Sequence, residues 1–285
     1  MKIRQIGNGG AFNFDQTNSS FLIKTDEGNF LLFDCGRNVI DKLHKLEHEK
    51  TDDNDFSFKE LKYIYISHMD DDHIGSLKSL IYYMFFVVGV KPIILFNKTI
   101  ASDLEEYLKY LNSYTENGVI INEKLYIPLY IQGDANMFDS AGTRIDGGIY
   151  LSSFEVNHSI HCAGLRLTHE DGTIFISGDT TDIVIPRVYK ANVEKPRLVF
   201  QDFSTFDNIN KQVHLCRGKF FLKHKKHVRK VREYFENYAK GVKFYHTGFP
   251  HQETFMTIDD GMNLVNTHLL DIEENFYKEF GAKDE

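Results

Sequence analysis

Apolar residues fall in short runs separated by turn-forming residues. Phe21-Leu22-Ile23-Lys24 and Asn29-Phe30-Leu31-Leu32-Phe33 flank Thr25-Asp26-Glu27-Gly28, a pattern that predicts a hairpin. Residues 63–66, Tyr63-Ile64-Tyr65-Ile66, have the length and character of a buried strand. From Ile74 onward the pattern reads as a helix. Ser102-Asp103-Leu104-Glu105 has the form of a capping box opening a second helix to about Asn112. Further strands are predicted over 126–131, 149–154, 164–168, 173–176 and 242–245, and a charged, periodic helix over 223–238. Strands and helices mixed in this way predict an α/β chain built on two sheets rather than one wound sheet.

Composition narrows the classes. With 285 residues, 42% of them hydrophobic, the chain can bury a large core. It contains no repeat, low-complexity segment or linker, so one domain over 1–285 is expected. A net charge of -8 argues against general nucleic-acid binding, which needs clustered Lys and Arg. Three scattered cysteines, Cys35, Cys162 and Cys216, make a disulfide framework a poor fit and suit a reducing compartment. The first residues lack a signal-peptide core, and the apolar run over 80–90 is too short to span a bilayer. A cytoplasmic protein with no membrane partner is the expectation.

The chemistry concentrates in Ser67-His68-Met69-Asp70-Asp71-Asp72-His73, directly after the predicted strand over 63–66. A tight loop there would bring His68, Asp70, Asp72 and His73 to one point. The bland alternative is a solvated acidic loop. But like charges this close repel, and a cation is the simplest way to hold them together. Imidazole and carboxylate groups are the donors that divalent metals take. His158, Asp179 in Ser177-Gly178-Asp179-Thr180, and His246 each border a predicted strand and extend the donor set.

In this order the residues resemble the metallo-β-lactamase superfamily, whose main motif, His-x-His-x-Asp-His, is followed by an isolated His, an Asp and a last His. Asp34, in Leu32-Phe33-Asp34-Cys35-Gly36, matches the superfamily's first, structural motif. The resemblance implies an αβ/βα four-layer sandwich with two divalent metal ions at one edge, zinc first and manganese second. It places His68, Asp70 and His158 on one ion, Asp72, His73 and His246 on the other, and Asp179 between them. Asp70 departs from the motif, which has histidine there. A carboxylate is the harder ligand and moves the preference toward manganese, unless one ion is lost altogether.

Within the superfamily, the Ser-Gly-Asp-Thr stretch, His158-Ser159 with Gly164 and Arg166, and Gln201-Asp202 with His214 resemble ribonuclease Z and its phosphodiesterase relatives. That branch implies His214 as general acid and Asp202 as its orienting partner, with Asp72 a third catalytic candidate. The ordinary alternative is a surface histidine and a loop acid. Two predicted strands and the turn Glu170-Asp171-Gly172 fill the stretch between His158 and Asp179, leaving no room for the tRNA-gripping arm of ribonuclease Z. With Ile6-Gly7-Asn8-Gly9-Gly10-Ala11-Phe12 and Gln16-Thr17-Asn18, the chain looks like the anti-Pycsar proteins. These are phage and bacterial enzymes that hydrolyse cyclic nucleotide monophosphates and so silence a defence signal. The resemblance implies a homodimer that converts purine and pyrimidine 3′,5′-cyclic nucleotides to 5′-monophosphates in the cytoplasm, the host's if phage-encoded. A nuclease acting on RNA ends is the alternative. A lactone or thioester hydrolase and a non-catalytic metal module stand behind it.

Other signals are weaker. Gly7-Asn8-Gly9-Gly10 lacks the Lys-Ser/Thr of a P-loop and reads as a tight turn near the site mouth. The basic residues between 217 and 232 read as a solvated helix face. Tyr82, Tyr83, Phe85 and Phe86 read first as core packing, then as a dimer contact. His161, His169 and His251 are spare, surface or supporting histidines.

Overall fold

The computed structural model describes residues 1–49, 54–131, 133, 142–181, 197–202, 214 and 242–245. In chain order the elements are β1 (Lys2–Gly7), β2 (Ser20–Lys24), β3 (Phe30–Phe33), α1 (Val39–His48), β4 (Leu61–Ile66), α2 (Asp71–Ile74), α3 (Leu77–Tyr83), β5 (Ile93–Asn97), α4 (Ala101–Tyr107), β6 (Tyr114–Glu116), β7 (Val119–Ile121), β8 (Ile127–Ile131), β9 (Thr143–Arg144), β10 (Tyr150–Val156), β11 (Cys162–His169), β12 (Gly172–Ile176), β13 (Leu198–Asp202) and β14 (Val242–Tyr245). One sheet runs β1-β2-β3-β4-β5-β8 and the other β14-β13-β12-β11-β10-β9, with β6-β7 a separate hairpin. The α/β architecture on two sheets agrees with the sequence pattern.

Period-two alternation sorts the side chains into two layers of core. Phe21 and Ile23, Leu31 and Phe33, Tyr63 and Tyr65 face the second sheet and join Leu151, Leu165, Leu167, Ile174, Ile176 and Phe200 in the inner core. The Phe21 ring lies 4.8 Å from Phe200 and 5.3 Å from Tyr245, so it joins the sheets directly. The intervening residues Leu22, Leu32, Ile64 and Ile66 face the other way. There they pack on Val39, Leu43 and Leu46 of α1 and on Leu77, Leu80 and Ile81 of α3.

The topology builds an edge for chemistry. Strands β3, β4 and β5 are mutually parallel, and so are β12, β13 and β14. Asp34 and Ser67 therefore leave β3 and β4 side by side: the Asp34 N–H donates to the Tyr65 carbonyl at 2.9 Å. Ala163, at the start of β11, donates its N–H to the Ser67 carbonyl at 3.0 Å and ties the second sheet to the same edge. Gly36 lets the chain close here. A Cβ at that position would lie 2.0 Å from the Asp72 carbonyl oxygen.

Three expectations change. The helix leaving the acidic loop starts earlier, at Asp71, and is split into α2 and α3 around Gly75 and Ser76. The capping box at Ser102 does not form. The Asn97 side chain instead accepts from the Thr99 N–H and caps a 3-10 turn over Lys98–Ile100, so α4 begins at Ala101 and ends at Tyr107, short of Asn112. The aromatic run divides: Tyr83 and Phe85 pack on the outer core, whereas Tyr82 and Phe86 are exposed. The helix predicted over 223–238, the basic residues between 217 and 232, Cys216, His246 and His251 lie outside the described residues.

Candidate metal centre

Asp34 is the keystone of the edge. It is fully buried and adopts φ 61°, a left-handed backbone that aspartate tolerates better than most side chains. Its Oδ1 accepts the Ser67 N–H at 2.8 Å, and its Oδ2 accepts both the Ser67 hydroxyl and His73 Nδ1–H at 2.7 Å. The Ser67 proton is thus committed to Asp34. Its oxygen accepts from His68 Nδ1–H, 2.8 Å away. Both rings are fixed in the tautomer that leaves Nε2 as a lone-pair donor, the outer support that metal-binding histidines require.

The Nε2 atoms meet a set of carboxylates at a revealing spacing. Two donors on one tetrahedral zinc, each about 2.0–2.2 Å from the ion, stand roughly 3.3–3.6 Å apart. Here His68 Nε2 lies 3.5 Å from Asp70 Oδ2 and 3.7 Å from Asp179 Oδ2. His158 Nε2 lies 3.1 Å from the same Asp70 oxygen. His73 Nε2 lies 3.5 Å from Asp72 Oδ2 and 3.2 Å from Asp179 Oδ2. Asp179 Oδ2 therefore belongs to both groups, His68–His158–Asp179 and Asp72–His73–Asp179. This donor chemistry and spacing fit divalent-metal binding at this edge, with Asp179 common to both groups. Gly178 turns the chain into Asp179 with φ 65°.

The electrostatics show how strongly the carboxylates demand a positive charge. Burial first, and the neighbouring His73 second, lower the His68 pKa and favour the neutral, ligand form. Burial also works to lower His73, but Asp179, Asp72 and Asp34 together push it well above its ordinary value. Hydrogen bonds from His158, then His68, hold Asp70 well below the usual carboxylate range. A cluster this acidic calls for a cation. Asp72 and Asp179 are buried, while the Asp70 side chain is 44% exposed and is the wettest of the set.

A second pair abuts the centre. Asp202, fully buried at the end of β13, accepts the Thr180 N–H at 2.8 Å and lies 3.0 Å from His214 Nδ1. The same His214 nitrogen is 3.5 Å from Asp179 Oδ2, and its ring is 5.6 Å from that of His158. Asn157 and Thr181 brace the His158 loop through two bonds of 2.8 Å. Of the predicted site residues, the structure brings together His68, Asp70, Asp72, His73, His158, Asp179, Asp202 and His214; His246 is outside the described residues. Ser67 and Thr180 stand in the quoted motifs but were given no role there. A serine before a histidine and a threonine after an aspartate carry no signal of their own. His169 does not support the centre: it pairs with Asp26 at 2.9 Å and Asp171 at 3.0 Å, at the opposite end of β11 from Cys162, whose Sγ lies 3.5 Å from His68. His161 is exposed.

Two packed sheets carrying this candidate metal centre on one edge are the architecture of the metallo-β-lactamase fold, the class to which this protein belongs. Solved structures agree on the fold. YhfI of Bacillus subtilis, a metallo-β-lactamase fold protein, superposes with TM-score 0.58 at 18% identity over 94% of this chain and 92% of its own. The short form of human tRNase Z does so with TM-score 0.60 at 17% identity over 90% and 99%. The family profile described as anti-Pycsar protein Apyc1 matches residues 1–248. An anti-Pycsar protein Apyc1 of Bacillus phage BSP38 is 30% identical over 63% of this chain and 68% of its own length. Another, of Bacillus phage 010DV004, is 34% identical over 63% and 69%. The chain belongs to the Apyc1 family of anti-Pycsar proteins. Among the described residues no helix is long and apolar enough to cross a membrane.

Proposed function

We propose that this chain hydrolyses 3′,5′-cyclic nucleotide monophosphates to 5′-monophosphates. The observation that carries the reading is the Asp179 carboxylate oxygen shared by two histidine-aspartate groups, with His214 on Asp202 beside it. His68, Asp70, His158 and Asp179 would hold one divalent ion; Asp72, His73, Asp179 and, by the motif, His246 would hold a second. Zinc suits the imidazoles, and Asp70 and Asp72 widen acceptance to manganese. Such ions, when bound, polarise the phosphoryl oxygens and ionise a water. The remaining work falls to side chains. Asp202 accepts from His214 Nδ1–H and stabilises the imidazolium. As the bond from phosphorus to O3′ breaks, His214 Nε2–H protonates that oxygen. A small, single-phosphate substrate suits the acidic chain better than an RNA end does. Membership of a family named for opposing Pycsar supports a role in evading cyclic-nucleotide defence.

The test is incubation of zinc- or manganese-loaded protein with cyclic AMP, GMP, CMP and UMP, with Asp179→Ala as control. Linear 5′-monophosphate from wild type alone supports the reading, and no turnover of any substrate with either metal sinks it. His214→Ala lowers kcat on the order of 10²–10⁴-fold with metal content unchanged. Unchanged turnover would remove the acid role.

A further inference from the structure

The loop between β1 and β2 raises two phenylalanines into solvent: Phe12 is 83% exposed and Phe14 78%. This loop is not slack. Asn8 and Gly9 both donate N–H to the Thr17 carbonyl, at 3.0 and 2.9 Å, and Ser19 N–H returns to the Gly9 carbonyl at 2.8 Å. Asn13 Oδ1 accepts from the N–H groups of Asp15 and Gln16. Asn38 clamps its base, accepting from Asn18 N–H and donating to the Gln16 carbonyl. A network this complete holds two large apolar rings where hydrophobic burial would not put them.

The loop is also joined to the metal centre. Arg37 donates to the Ala11 carbonyl, sits 5.6 Å from the Phe14 ring, and places Nε 3.2 Å from Asp71 Oδ2. Asp71 lies between the donors Asp70 and Asp72. Asn18 and the Asp72 carbonyl both crowd Gly36, so the loop base and the acidic loop touch. One side chain therefore fixes the aromatic rim against the segment that would hold the phosphate.

Resting on the substrate reading above, we infer that Phe12 and Phe14, set by Arg37, form the platform on which the substrate's nucleobase stacks. The phosphate end is fixed at the Asp70–Asp72 side, which leaves the heteroaromatic end of the same small molecule to meet this rim. Arg37 is paired with Asp71 and spent on Phe14. The rim therefore meets a base first through its aromatic faces, and stacking on such faces is tolerant of base identity.

The experiment compares wild type with the Phe12→Ala/Phe14→Ala double variant on the four cyclic nucleotides and on ribose 3′,5′-cyclic phosphate, which has no base. The ratio of nucleotide to base-free kcat/KM is expected to fall about 5- to 100-fold, chiefly through KM, and to recover in Phe12→Tyr/Phe14→Tyr. An unchanged ratio overturns the platform. So does an equal loss on both substrates accompanied by a change of oligomeric state, which would make the rim a contact between copies. If wild type turns over none of these substrates, the substrate reading fails separately. Calorimetric binding of 5′-AMP then decides: weaker binding by the variant upholds the platform, and equal binding overturns it.

Discussion

Replacing Asp34 by Asn changes no volume and tests the reasoning about the centre at its root. Asp34 offers two acceptor oxygens to three donors: Ser67 N–H at 2.8 Å on Oδ1, and Ser67 Oγ–H and His73 Nδ1–H at 2.7 Å on Oδ2. An asparagine has one acceptor oxygen. With its NH2 toward Ser67 N–H, two donors meet and one charge-assisted bond is lost. In the other orientation the NH2 opposes His73 Nδ1–H, and the ring loses the tautomer that leaves Nε2 bare. Each such bond is worth about 1.5–3 kcal/mol, and the displaced donor stays buried. The loss should total roughly 2–4 kcal/mol, a fall in Tm of about 3–7 °C for a chain of this size. Disturbed outer-shell partners typically weaken a metal site about 10–100-fold. Calorimetric unfolding of metal-free protein reads the first effect, and chelator competition against zinc reads the second. An Asp34→Asn protein that melts with wild type and holds zinc as tightly would refute the claim that Asp34 orients His73 and, through Ser67, His68.

Asp70→His should raise the zinc-over-manganese affinity ratio by at least about tenfold, measured by competition with the free manganese EPR signal as readout; an unchanged ratio would mean Asp70 is not a ligand. Phe21→Ala should cost about 3–5 kcal/mol in denaturant unfolding, because the ring is fully buried between the sheets against Phe33, Phe200 and Tyr245; a cost below about 1 kcal/mol would show that the sheets do not pack through it. Burial pushes the Cys35 thiol up to about 12 and Cys162 well above its ordinary value. Iodoacetamide at pH 8 should leave both unlabelled in native protein and label both in urea. The raised Cys35 pKa contributes stability that is whole below the unfolded thiol's pKa of about 8.5 and is lost as pH rises toward about 12, so alkaline unfolding should set in across that window.

What the sequence made legible follows the regularity of the physics behind it. The β2–β3 hairpin announced itself because its strands alternate between two cores, and the turn between them holds the glycine, Gly28, at φ 88°. Strand β1 did not, because it buries Arg4 and Gln5 along with Ile3 and Ile6 and has no polar face to mark it. Helix α1 has the right spacing in Val39, Leu43 and Leu46. Its N-terminal Asn38 gives no cap, having spent its side chain on Asn18 and Gln16 of the aromatic loop. The capping box at Ser102 failed for the converse reason: a competing cap at Asn97 acts one turn earlier. Tertiary demands redirected side chains whose local grammar was sound.

The site divides along the same line. Donor residues are readable because a metal centre needs rare side chains at tight spacing, and His68, Asp70, Asp72 and His73 cannot sit together cheaply without a reason. The residues that make those donors work are common ones in common places. Ser67 acts only because Asp34, a neighbour brought by the β3–β4 pairing, takes its proton and so turns its oxygen toward His68. Phe12 and Phe14 look like ordinary loop apolars until Arg37 ties them to Asp71. A position whose role comes from what a third residue has already consumed has no signature in spacing.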